Sequence, residues 1–93
     1  MIAVLATLHI KPGSGSAFEA DFVEWSKAVK ANEPETLQYN LTRSRDDAQV
    51  YYVFEKYASD AAFKSHMKNL MARPAGPDFF ASPPKIEVLD IVA

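Results

Sequence analysis

Apolar and polar residues alternate in distinct patterns along the chain, and the changes of period mark its elements. Residues 2–10 are rich in Ile, Val and Leu and stop at Lys11-Pro12-Gly13, which predicts a buried strand followed by a turn. Ser16 and Glu19 have the S-x-x-E spacing of a capping box, so a helix is expected to open at Ser16. Phe18, Phe22, Trp25 and Val29 then recur at helical spacing, with Glu24, Lys27 and Lys30 largely off that stripe. Pro34 disfavours helical geometry in the residue before it, which ends the helix near Asn32 or Glu33.

From residue 36 the period changes to two. Leu37, Tyr39 and Leu41 point one way and Gln38, Asn40 and Thr42 the other, over a strand at 36–45. Asp46-Asp47-Ala48 is a turn, and residues 49–57 form a second strand, so the pair is a hairpin. Ser59 caps a second helix, whose apolar stripe is Phe63, Met67, Leu70 and Met71, with His66 beside it. Five Pro and Gly residues make 72–84 a loop, and Lys85 to Val92 is a last strand.

The order β-α-β-β-α-β is the ferredoxin-like, split βαβ arrangement of the α+β class. Right-handed crossovers then give a four-stranded antiparallel sheet with the first and third strands central and both helices on one face. Residues 1–93 form a single domain, because a chain this size buries roughly 60–70% of its unfolded surface and supports one core.

The sheet face without helices should read polar if the monomer is self-sufficient. It does not: the third strand is apolar on both faces, and the first offers Ala3 and Leu5 opposite Ile2, Val4, Leu8 and Ile10. Two copies packed sheet to sheet would cover such a surface, so a homodimer is expected. The alternative is a monomer whose 72–84 loop folds over that face.

Composition then narrows the function. Hydrophobic residues make up 48% of the chain and charged residues 24%, which is globular rather than disordered. The net charge is −2, so the basic footprint of a nucleic-acid binder is missing. No run approaches the length of a membrane span, and the N-terminus lacks the basic segment of a signal peptide, so a cytoplasmic protein is expected. With no cysteine there is no disulfide frame, thiolate metal site or cysteine nucleophile. The two histidines stand far apart in sequence and no carboxylate cluster is evident, so no metal site is expected. Dinucleotide, phosphate-loop, serine-hydrolase and zinc-protease motifs are all missing.

The candidate chemistry is therefore small. His66 reads either as an acid–base group or as a boundary histidine bonded to backbone. Glu55, among Val53, Phe54 and Tyr57, needs a partner if buried, and His66 could supply it. Tyr51 and Tyr57, like Tyr39 and Tyr52, either place hydroxyls in a pocket or simply pack. Trp25, Phe63 and Met67 are core residues or pocket walls. Arg43, Arg45 and Arg73 would matter for an anionic substrate, whereas His9 and Asn40 read as surface or interface groups.

Val4 through Gly13 and Phe18, the Glu55-x-Tyr57 pair followed by Ala62, Phe63 and His66, and the closing Pro83 to Val88 resemble antibiotic biosynthesis monooxygenase (ABM) domains, in that order over essentially the whole chain. The resemblance implies a dimeric α+β barrel and oxygenation of a quinol or polyphenolic aromatic by O2 with no metal or organic cofactor. Other members degrade haem, isomerise a phosphorylated signal molecule, or have no known reaction. The haem-degrading branch uses an Asn in the first strand and a Trp at the start of the second helix. Neither is present here, which disfavours haem chemistry. The family's Glu and His fall on Glu55 and His66. His66 is therefore expected to act as a base oriented by Glu55; the resemblance assigns no other site residue, and Tyr51, Tyr57, Phe63, Met67 and Trp25 are expected toward substrate from their own places in the pattern. Two further readings stay open: proton transfer beside a carbonyl in a small oxygenated metabolite, and a non-catalytic dimer that binds a small molecule.

Overall fold

The computed structural model describes residues 1–93. Its strands are β1 (Ile2–His9), β2 (Thr36–Arg43), β3 (Val50–Tyr57) and β4 (Lys85–Asp90), and its helices are α1 (Gly15–Asn32) and α2 (Asp60–Met71). The sheet runs β2-β3-β1-β4 with every neighbour antiparallel, so β1 and β3 are central as the topology rules require. The fold is ferredoxin-like α+β.

Strict alternation organises the sheet. Ile2, Val4, Ala6 and Leu8 of β1 face Tyr57, Glu55, Val53 and Tyr51 of β3 in direct register, and all eight are buried beneath the helices. Phe18 and Phe22 of α1 close one end of this layer against Leu8, Tyr51 and Val53. Ala62 and Phe63 of α2 close the other end against Ile2, Val4 and Tyr57.

Several boundaries depart from the sequence pattern. The first helix opens at Gly15, behind Ser14, and no side chain caps it. The Ser16–Glu19 capping box does not form, because Glu19 is drawn to the Tyr51 hydroxyl at 2.6 Å and to Arg43 at 3.2 Å. Gly13 turns the chain into the helix with φ at 81°, a conformation that favours glycine. In β2 a register shift between Thr36 and Gln38 leaves Leu37 exposed rather than in line with Tyr39 and Leu41. β2 stops at Arg43, because Ser44 Oγ accepts from the amides of Asp46 and Asp47 and starts the turn. β4 stops at Asp90, where its partner strand runs out at Ile2.

Ser59 caps α2 as the sequence indicates, its hydroxyl accepting from the Ala62 amide at 3.1 Å. The apolar stripe ends at Leu70, for Met71 is the last helical residue and is 80% exposed.

The 72–84 loop folds over the helix side of the sheet. Phe80 bridges to Ile10, the Lys11 amide donates to Phe79 O and the Ala81 amide to His9 O. Phe79 and Phe80 both set their rings edge-on against Phe18. This leaves the opposite face of the sheet bare, with Phe54 46% and Leu89 42% exposed.

Candidate active site

A cavity of about 430 Å3 lies between the helices, the sheet and the 72–84 loop. Its floor is Val4, Ala6, Leu8, Val53 and Glu55 of the central strands, and its walls come from Phe22 and Trp25 of α1 and Phe63, His66 and Met67 of α2. Most of the lining is apolar or aromatic, which suits a flat hydrophobic ligand.

His66 is only 1% exposed, deeper than a boundary histidine. Its ring sits among aromatics, with centroids of Tyr39 at 5.0 Å, Tyr57 at 5.4 Å and Trp25 at 6.1 Å. Its Nδ1 lies 2.7 Å from Glu33 Oε1. Thr36 Oγ1 donates to the same oxygen at 2.8 Å and Asn69 Nδ2 donates to Oε2 at 3.1 Å. Burial acts to raise the Glu33 carboxyl, but the hydrogen bonds from Asn69, His66 and Thr36, with the charge of His66, outweigh it and hold the group below the ordinary carboxylate range. An ionised carboxylate only accepts, so Nδ1 carries the ring proton when His66 is neutral and Nε2 carries the lone pair. Nε2 has no hydrogen-bond partner in the protein and is not sealed off, for no sealed polar side-chain atom lacks a partner; it opens to the cavity.

The carboxylate on His66 is thus Glu33, at the end of α1, and not Glu55. Glu55 lies in the same cavity but takes its hydrogen bond from the Tyr57 hydroxyl at 2.5 Å, two residues along the same strand face. Burial pushes the Glu55 carboxyl above the ordinary range, against the lowering effects of the Tyr57 bond and the His66 charge. The local spacing around Glu33 carries no motif. Its one signal is electrostatic: an acidic residue at a helix C-terminus faces the negative end of the dipole, which makes it unfavourable there unless another group holds it.

Trp25, Phe63 and Met67 line the cavity. Tyr51 and Tyr57 do not. Both are buried with their hydroxyls committed to Glu19 and Glu55, and burial pushes both phenols up. Tyr39 does line it. Its hydroxyl accepts from Trp25 Nε1 at 3.1 Å, which leaves the O–H hydrogen for another acceptor, and burial followed by the Glu55 charge raises its phenol. Of the three arginines, only Arg73 reaches the cavity. Arg43 pairs with Glu19, and Arg45 is exposed on the hairpin turn. No three His, Asp or Glu side chains come together as a metal-binding group, and no helix is long and apolar enough to cross a membrane.

Known proteins share this chain's sequence pattern and fold. The family model described as antibiotic biosynthesis monooxygenase matches residues 1–75. An antibiotic biosynthesis monooxygenase candidate from Caulobacter crescentus CB15 is similar at 39% identity, with 99% of this chain and 90% of that one covered and a TM-score of 0.83. A Pseudomonas aeruginosa protein is similar at 26% identity, over 99% of this chain and 94% of that one, with a TM-score of 0.80. A mutant of MhuD, with two manganese protoporphyrin IX bound per active site, shares the fold at 21% identity, over 100% and 96% of the chains, with a TM-score of 0.76. No curated protein matches the sequence.

Proposed function

Because the chain belongs to the antibiotic biosynthesis monooxygenase family, we propose that it oxidises a hydroxylated aromatic, a quinol or polyphenol, with O2 and without a cofactor, using His66 as the base. One observation carries the reading. A buried histidine stands in an apolar cavity with Nδ1 fixed by an ionised carboxylate and Nε2 free to accept a proton.

The mechanism follows from that geometry. A phenolic O–H aimed at Nε2 gives up its proton as the imidazolium is stabilised by Glu33. Removing the proton makes the ring a far better electron donor. One electron passes from the phenolate to O2, giving an aryloxyl radical and superoxide. Their recombination forms a carbon–oxygen bond, the imidazolium returns its proton to the peroxide, and loss of water from that hydroperoxide leaves a quinone carbonyl and the free base. In a hydroquinone a second electron and proton leave instead, giving quinone and hydrogen peroxide. The protein supplies a base, orientation and a dry, aromatic cavity. The Tyr39 O–H and the Glu55 carboxyl, which line the cavity with His66, are polar groups that hold a second ring oxygen in this reading. The open cavity, with His66 facing into it, supports chemistry over a packed binding module, and its aromatic walls support an aromatic ligand over a small polar metabolite.

The protein works in this reading as a two-fold dimer. The bare sheet face carries Leu5, Tyr52, Phe54 and Leu89, and the 72–84 loop that could have covered it lies on the other side. A second copy packed sheet to sheet buries these residues and leaves both cavities outside the interface.

Oxygen uptake with a panel of hydroquinones and polyhydroxylated aromatics, comparing the native protein with His66→Ala, tests the function. Uptake above the spontaneous rate that the variant loses is the expected result. Equal uptake in both proteins removes His66 from the mechanism, and no catalysed uptake across the panel overturns the oxidation.

A further inference from the structure

The polar groups of the cavity are unevenly placed. Glu55 and His66 are its buried polar lining groups, with Tyr39 beside His66 and Glu33 behind it outside the lining, whereas the other lining carboxylate, Asp21, is 43% exposed and paired with Arg73. Arg73 is the only Lys or Arg among the lining residues, and its side chain is 34% exposed, so it stands where the cavity meets solvent. It follows α2 and reaches back to α1. Its guanidinium lies 4.8 Å from the centre of the Trp25 ring, while Nη2 and Nη1 lie 3.1 Å and 3.5 Å from the two oxygens of Asp21.

A guanidinium has five N–H donors, and Asp21 engages only two here. The other three have no protein partner. Trp25 and Asp21 therefore hold a flat cationic fork in place without exhausting it. The pair is partly exposed, with Asp21 43% accessible, so its mutual attraction is modest and exchangeable.

We infer that Arg73 is a specificity-determining residue that recognises an acidic substituent, a carboxylate above all, on the aromatic ligand. This rests on the aromatic-ligand reading above and extends it: the ligand is an aromatic hydroxy acid, bound hydroxyl inward on His66 and acid outward on Arg73. Asp21 occupies the fork when the cavity is empty and competes with the ligand's acid when it is full. A planar fork backed by an aromatic face suits a carboxylate in a way that a lysine ammonium does not.

Calorimetric titration of the native protein with 2-naphthol and 6-hydroxy-2-naphthoate at neutral pH tests this, because the two differ only by a carboxylate at the far end from the hydroxyl. Native protein should bind the acid about tenfold more tightly. Arg73→Ala should abolish the preference while 2-naphthol still binds, Arg73→Lys should keep only part of it, and Asp21→Asn should widen it. Equal binding of the two compounds by native protein overturns the inference, as does a preference that survives Arg73→Ala. His66→Ala should leave the preference in place, so loss of oxygen uptake in that variant and loss of discrimination at Arg73 report separately. Failure of both compounds to bind overturns the aromatic-cavity reading and this inference with it.

Discussion

Glu33 Oε1 stands 2.7 Å from His66 Nδ1 and joins the end of α1 to the middle of α2, two elements that share no strand. Thr36 and Asn69 hold the carboxylate from both sides, so the imidazole is fixed by a group that is itself fixed. Such a support orients the ring, selects its tautomer and stabilises the cation formed when Nε2 takes a proton.

His66→Ala should lower catalysed oxygen uptake by roughly 10²–10⁴-fold, the usual contribution of a positioned base. Glu33→Gln should keep the fold and the cavity but lower kcat by about 10-fold or more, since an amide can present a donor to Nδ1 and favour the wrong tautomer. Affinity for an unreactive aromatic should be nearly unchanged in Glu33→Gln. A variant with native kcat would show that Glu33 is structural only.

Glu33 and Glu55 predict opposite pH dependences of stability. The Glu33 carboxyl is held below its ordinary value of 4.5 in the fold, so the unfolded chain binds more protons as pH falls from that value. Its contribution is present above pH 4.5 and lost below it. The Glu55 carboxyl is raised above 4.5, so the folded chain binds more protons, and its contribution is present below pH 4.5 and lost as pH rises through the folded value. At pH 7, Glu33→Gln should therefore lower Tm and Glu55→Gln should raise it. Each should move Tm by a few degrees, since about 1 kcal/mol shifts a domain of this size by roughly 4–8 °C. Melting curves at pH 7 and pH 4 check both signs. The Glu55→Gln gain should shrink at pH 4, and no gain at pH 7 would mean that burial does not raise the Glu55 carboxyl.

Much of this architecture was legible in the sequence, and the reason is periodicity. The alternation of Ile2, Val4, Ala6 and Leu8, and the helical spacing of Phe18, Phe22 and Val29, each name the face that is buried. His66 was legible as the one histidine beside a helical apolar stripe. Its partner was not, because Glu33 and His66 are 33 residues apart and meet only when α1 and α2 lie side by side. The tyrosines misled for a related cause. Tyr51 and Tyr57 lie on the inner face as their pattern requires, but burial commits a hydroxyl to whatever acceptor is near, and Glu19 and Glu55 take both.

That commitment makes Tyr51 a stability residue. Tyr51→Phe should leave ligand affinity unchanged and lower stability by about 1–2 kcal/mol, because the lost bond goes to an ionised acceptor that keeps its Arg43 partner. Denaturant unfolding beside a titration with 2-naphthol separates the two effects. Weakened binding at native stability would return Tyr51 to the cavity.

The bare sheet face gives the last prediction. Only 14 of the 93 residues are buried, and all six of β4 are exposed, so the isolated chain has a thin core for its length. Phe54 lies on the central strand β3, on the face opposite the helices, and is 46% exposed. A lysine there would place a charge in the middle of a sheet-to-sheet interface, opposite its own symmetry-related copy or close to it, where it could be neither hydrated nor paired. Phe54→Lys should therefore convert a dimer to a monomer in light scattering and make thermal stability independent of protein concentration, whereas the native Tm should rise with concentration. His66 and Glu33 lie on the other side of the sheet, so any oxygen uptake that survives in the monomer would show that the cavity is complete within one chain. A native protein that is monomeric at micromolar concentration would instead leave Phe54 and Leu89 in water and remove the dimer from the proposal.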